Sequence, residues 1–251
     1  MITHSIDDAA WASPWRARRV GEKVALSLAL VLTALLTPAW PGSLAVAVIS
    51  VALILGPARI RASLLLAVTL LPLGFLVVGA LPVAIHFGTD GWGLGPLRVT
   101  QEGLAAAAGL LAHGIAGTLA IMVLATTTPM VDLLTWLRTL RIPDPILEIA
   151  ALTYRLLFVL LSTTMAVLAA QRMRLGAEAS VTRRWAAMAA TTGSIMLRTW
   201  DRTTRLQRGL EGRGYEDSLR TLAPARPRSW AFIAMTGACV AAVWLLSWGL
   251  T

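Results

Sequence analysis

Four stretches of this 251-residue chain contain no charged residue: Val24 to Ala58, Ala62 to Thr89, Gly103 to Val131 and Ser229 to Thr251. Each reaches the roughly 20 apolar residues that a helix needs to cross a hydrocarbon core about 30 Å thick. Hydrophobic residues make up 57% of the chain and charged ones 14%, against about 25% charged in soluble domains. A single soluble core of this size does not need so much apolar side chain, and lipid is the natural place for it. The expected fold class is therefore an all-α integral membrane protein of about five transmembrane helices, with two further long helices outside the bilayer.

The run from Val24 to Gly56 is too long for one helix and is interrupted by Pro38-Ala39-Trp40-Pro41-Gly42. It divides into spans at 24–37 and 43–56 joined by a tight turn, with Trp40 at an interface and Lys23 snorkelling below the first span. A third span is expected over 62–85, with Pro72 and Pro82 inside it, and a fourth over 103–126. In the fourth, Gly109, Gly114 and Gly117 allow close helix approach. The last span, 230–249, has Trp230 and Trp248 near its ends. Its Cys239 is the only cysteine, which excludes an internal disulfide and a multi-cysteine metal site. The polar start is neither a signal peptide nor a transit peptide, so the first span serves as the insertion signal.

Orientation follows from the basic residues, of which all but Lys23 are arginine. Segment 1–23 holds four, turn 38–42 none, loop 57–61 two, loop 86–102 one and segment 127–228 fifteen. Alternate connections are basic, as the positive-inside rule requires. This gives a cytoplasmic lead-in (1–23), four spans within 24–126, a cytoplasmic segment (127–228) and a last span within 229–251.

In segment 127–228 a short helix is expected over 129–141, ended by Ile142-Pro143. Asp144-Pro145 then reads as an N-cap with proline in the first turn. A helix from there to Leu175 would be about 45 Å long. A second runs from Val181 to Gly212, with Trp185, Met188, Thr192, Ile195, Met196, Leu206 and Leu210 near a 3.6-residue period. Arg198, Arg202, Arg205 and Arg208 occupy its other face, with Asp201 spaced to pair with Arg198 and Arg205. The first helix is apolar nearly all round from 156 to 170. It reads either as a further span or as a rod buried against other subunits. Spanning would carry the twelve arginines of 172–228 outside, so the buried reading is favoured.

Both long helices end in an arginine between small or apolar neighbours: Gln171-Arg172-Met173-Arg174-Leu175-Gly176, and Glu211-Gly212-Arg213-Gly214-Tyr215. Carbonyl dipoles at a helix C-terminus favour a cation. Ordinary capping charge is one reading of each end. The other is an arginine on a rigid rod that enters a groove and pairs bidentately with a carboxylate.

With Thr153-Tyr154-Arg155-Leu156-Leu157-Phe158, Leu197-Arg198-Thr199-Trp200 and Gly21-Glu22-Lys23, these ends resemble the transmembrane T component of energy-coupling factor transporters, in its cobalt-type, CbiQ-like branch. The resemblance covers most of the chain and is most specific from 145 to 215. It implies that the two long helices are coupling helices whose X-Arg-X ends dock into two ATP-binding cassette ATPase subunits. Their apolar surfaces would meet a substrate-binding membrane S component. The motifs carry over as Met173-Arg174-Leu175 and Gly212-Arg213-Gly214. Leu175 and Gly212 depart from the usual small residue and alanine, and Arg172 is the alternative for the first motif. Cobalt is the implied substrate and nickel the second candidate, in the inner (cytoplasmic) membrane. The chain itself would bind no cofactor, ATP being held by the ATPase subunits.

No phosphate loop is present, and His4, His86 and His113 have no metal-ligand spacing. His113, inside a span, is a functional candidate by position or simply bonds a neighbouring helix. A membrane-embedded enzyme would need paired carboxylates or a histidine-rich motif. A self-contained permease would be expected to carry intramembrane acids or inverted repeats. Neither pattern is visible. Asp201 and Glu211 among the arginines, and the membrane tether, argue against nucleic acid, whereas anionic lipid suits a few of these arginines.

Overall fold

The computed structural model describes residues 2–87, 97–173, 181–215 and 226–249. In chain order these form α1 (Ile2–Ala12), α2 (Val20–Leu36), α3 (Leu44–Leu55), α4 (Ala62–Ala84), β1 (Ile85–Phe87), β2 (Leu97–Val99), α5 (Gln101–Thr127), α6 (Met130–Leu137), α7 (Asp144–Met173), α8 (Val181–Glu211) and α9 (Trp230–Gly249). Short 3-10 turns cover Pro14–Ala17 and Arg138–Leu140. The described residues are all-α apart from the antiparallel β1–β2 pair, in which Ile85 faces Val99.

Two compact units divide the chain: Met1–Leu133 with Pro224–Thr251, and Leu134–Ala223. In the first, α5 is central, with α2, α3, α4 and α1 packed against it. Leu26, Leu30, Val46, Ile54, Ala116, Ala120 and Val123 form the core. The Ser27 hydroxyl donates to the Ala120 carbonyl at 2.7 Å, tying α2 to α5. Of the three glycines expected to permit close packing, Gly114 is the one that requires it. A Cβ there would stand 2.5 Å from Leu76 Cδ2, whereas Gly109 and Gly117 have room.

The outward faces are apolar. Leu70, Leu71, Phe75 and Val78 on α4, and Leu245 and Trp248 on α9, are all largely exposed. Exposed apolar side chains in this number would drive a soluble protein to aggregate, and they suit lipid contact. Pro72 and Pro82 lie within a continuous α4. Four described helices are long and apolar enough to cross a membrane: α4, α5, α7 up to Ala170, and α9. Helix α2 has 17 residues, and α3 with the π-helical turn Ala39–Ser43 that leads into it covers Ala39–Leu55, which at 1.5 Å per residue gives about 25 Å each, less than the core thickness. The proline-bounded turn at 38–41 costs them that length.

Lys23 does not snorkel. Its side chain is fully buried, and Nζ donates to the Thr127 carbonyl at 2.8 Å. That carbonyl belongs to the last turn of α5, where an ammonium meets both an unpaired acceptor and the negative end of the helix dipole. The lead-in is also part of this unit. Ser13 caps the 3-10 turn at the Trp15 amide and donates to the Ala58 carbonyl at 3.1 Å. Trp15 packs edge-on against Phe232 of α9, with ring centroids 5.0 Å apart.

Candidate functional site

The described part of the arginine-ended helices lies in the second unit. Helix α8 ends in two hydrogen bonds that define a Schellman turn: the Gly214 amide donates to the Glu211 carbonyl, and the Tyr215 amide to the Leu210 carbonyl, both at 3.1 Å. Such a turn needs a left-handed residue after the last helical one. Gly214 supplies it with φ of 75°, a conformation that costs side-chain-bearing residues about 1–2 kcal/mol. Arg213 is the cap residue immediately before it, and it is exposed. Its backbone is held by the turn, and among the described residues its guanidinium makes no ion pair.

The turn is anchored from the other side. Tyr215 Oη donates to Glu148 Oε1 at 2.7 Å, and Glu148 is 5% exposed in the first turns of α7. Asp144, which opens α7, lies 3.8 Å from Arg138. Further along, Arg155 and Leu156 of α7 share a cavity with Arg202, Arg205 and Leu206 of α8. Rising numbers on α7 meet falling numbers on α8, so the two helices are antiparallel. Their C-termini therefore point to opposite ends of the pair. Met173, where α7 ends, is 88% exposed and stands about 38 Å along α7 from Glu148 at 1.5 Å per residue.

Arg174 and Leu175 of the first motif lie outside the described residues, as does the Arg172 side chain. Gly212 and Gly214 are exposed with Arg213. The expected pairing of Asp201 with Arg198 and Arg205 is not formed: among the described residues no ion pair within 4.0 Å involves Asp201. On an exposed helix face, water competes well for such charges. The apolar face of α8 is uncovered, with Trp185, Met188 and Met196 each more than 60% exposed.

A cluster that the sequence reading missed lies in the first unit. Asp132 accepts from Arg226 at 2.7 Å and lies 4.0 Å from Arg16 Nε. Glu22 Oε1 accepts from the Ser229 amide at 2.9 Å, and Arg18 donates to the Ser229 hydroxyl at 2.6 Å. These contacts join the lead-in, the start of α2, the start of α6 and the entry to α9, at sequence separations that no local pattern reveals. The chain leaves this unit after Leu133 and re-enters at Pro224. The Asp132–Arg226 pair thus joins two segments of the first unit that are 94 positions apart in sequence.

His113 sits half-buried with Nδ1 2.8 Å from the Gly109 carbonyl and Nε2 3.3 Å from the Thr37 carbonyl. A neutral imidazole carries one N–H and donates to one of these two carbonyls at a time, and no group of three or more metal-ligating side chains occurs among the described residues.

Long apolar helices with lipid-suited outer faces, interrupted by a separate arginine-rich helical unit, define a multi-pass α-helical membrane protein. Residues 12–222 match the CbiQ family, described as cobalt transport protein. A cobalt transport protein CbiQ of Rhodobacter capsulatus is 39% identical over 223 residues, covering 88% of each chain. An uncharacterised protein of Methanocaldococcus jannaschii is 26% identical, covering 86% of this chain and 82% of its own. A putative fused cobalt transport protein CbiMQ of Methanocorpusculum labreanum is 26% identical across 85% of this chain and 37% of its own length. The chain belongs to the CbiQ family of cobalt transport proteins, and it is a membrane component of cobalt transport.

Proposed function

We propose that the chain is the coupling subunit of an ATP-driven cobalt uptake transporter of the energy-coupling factor type, relaying motions of two ATPase subunits to a substrate-binding S component. Arg213, and Arg174 at the far end of α7, are the docking side chains, with Met173, Leu175, Gly212 and Gly214 shaping their surroundings. The chain lies in the inner membrane with its N-terminus and second unit cytoplasmic. Helices α2, α3, α4, α5 and α9 are its spans, and α7 stays on the cytoplasmic side. ATP is held by the ATPase subunits, and this chain needs no cofactor of its own.

The observation that carries this reading is the Schellman turn presenting Arg213 on a rod pinned by Tyr215 and Glu148. An antiparallel pair with its C-termini at opposite ends suits two separate ATPase subunits. The uncovered apolar face of α8 suits a membrane partner. A relative whose name describes a fused CbiMQ supports a second transport segment working beside a CbiQ-like one.

Removing one member of a buried interfacial charge pair costs about 2–5 kcal/mol. Replacing Arg174 and Arg213 together by alanine is thus expected to abolish ATPase-subunit co-purification and cobalt uptake while the protein still inserts. Normal uptake by the double variant would end this reading. Nickel uptake measured beside cobalt settles the substrate.

A further inference from the structure

We propose that the cavity between α7 and α8 is a binding site for the phosphate of an anionic phospholipid, holding the antiparallel pair against the bilayer surface. The cavity measures about 330 Å³, and Arg155, Arg202 and Arg205 line it together with Leu152, Leu156 and Leu206. That volume is at the lower end of the roughly 300–1,000 Å³ typical of small-molecule sites.

Arg202 and Arg205, three residues apart, share one face of α8, and Arg155 approaches from α7. Among the described residues no acidic side chain lines the cavity. None of the three arginines makes an ion pair or hydrogen bond with a described residue. Three cationic residues lining one cavity with no counter-charge among the described lining residues favour an anion there. Guanidinium groups match phosphate oxygens bidentately.

The rest of the lining selects the source of the phosphate. It is aliphatic, and it adjoins the stretch 156–170 of α7, which carries no charge. Leu157, Leu160, Met165 and Leu168 of that stretch are each about 40–50% exposed. A ligand with a phosphate joined to an acyl chain satisfies both halves of this surface, whereas a hydrophilic acidic peptide satisfies one. Arginines at the edge of an apolar stretch are also where a helix meets lipid head groups. The inference needs the membrane location but not the ATPase docking, so the two can fail separately.

The test uses the delipidated full chain in detergent, titrated with dioctanoyl phosphatidylglycerol, dioctanoyl phosphatidylcholine or inorganic phosphate, with binding read by native mass spectrometry and thermal shift. Phosphatidylglycerol should bind in preference to both other probes. The triple variant Arg155→Gln, Arg202→Gln, Arg205→Gln should weaken it on the order of a hundredfold. The pair Arg198→Gln, Arg208→Gln, outside the cavity, should leave it unchanged. The single variant Arg155→Gln, at an exposed position, should retain the fold and weaken binding severalfold. Equal binding of the two lipids, equal competition by inorganic phosphate, or full binding by the triple variant would each overturn the proposal. So would loss of ATPase-subunit association by the triple variant in lipid-free detergent, because the arginines would then serve a protein partner.

Discussion

The phenol of Tyr215 and the carboxylate of Glu148, 67 positions apart in sequence, meet at 2.7 Å and hold the end of α8 against the start of α7. A hydrogen bond to a charged, buried group contributes about 1.5–3 kcal/mol. Tyr215→Phe should therefore lower the thermal midpoint of the purified protein and weaken ATPase-subunit capture, although Arg213 is untouched. Glu148→Gln and Tyr215→Phe should be non-additive in a double-mutant cycle. Independent effects would mean that the pair does not position the turn.

The two glycines flanking Arg213 should respond differently. Gly214→Ala forces a Cβ into the left-handed region at a cost of about 1–2 kcal/mol, although there is open space around it. Gly212→Ala brings a Cβ 3.3 Å from the Arg208 carbonyl in a right-handed turn and should cost less. ATPase-subunit affinity measured for both should rank Gly214→Ala as the more damaging.

Asp132→Asn should loosen the cluster that ties the lead-in, the start of α6 and the approach to α9 within the first unit. It removes the charge that accepts from the largely buried Arg226, with the more exposed Arg16 4.0 Å away, and an uncompensated buried guanidinium is destabilising. The expected outcome is an assembled complex that hydrolyses ATP with reduced cobalt uptake. Unchanged transport per ATP would show that the clasp is merely structural.

The orientation of the second unit has a direct check. Cys239 is the only cysteine, so Cys239→Ala gives a thiol-free background. A cysteine introduced at Gln207 should react with a membrane-impermeant maleimide from the cytoplasmic side alone. Labelling from outside would put the arginines in the wrong compartment and remove the coupling mechanism.

His113→Gln should leave cobalt uptake within about twofold of wild type, because its ring lies against backbone carbonyls and joins no metal-ligating cluster among the described residues. Loss of uptake by an assembled complex would assign His113 a place on the ion's path.

Uncharged runs and proline punctuation were enough to locate α4, α5 and α9 to within about two residues, because lipid demands long apolar helices with satisfied backbones. The start of α7 and the end of α8 were legible for a similar reason: Asp144-Pro145, Gly212 and Gly214 encode a start and a stop locally. What lay beyond the sequence were partners far apart in the chain. Lys23 was expected at a lipid interface and is instead the cap of α5, and Asp201 was expected to pair along its helix and does not. Glu148 with Tyr215, and Asp132 with Arg226, carry no periodicity that would betray them. Local patterns fix which segments are helical and which faces are apolar. Only the folded packing decides which charges are buried together, since desolvation and hydrogen-bond geometry depend on neighbours brought by other helices.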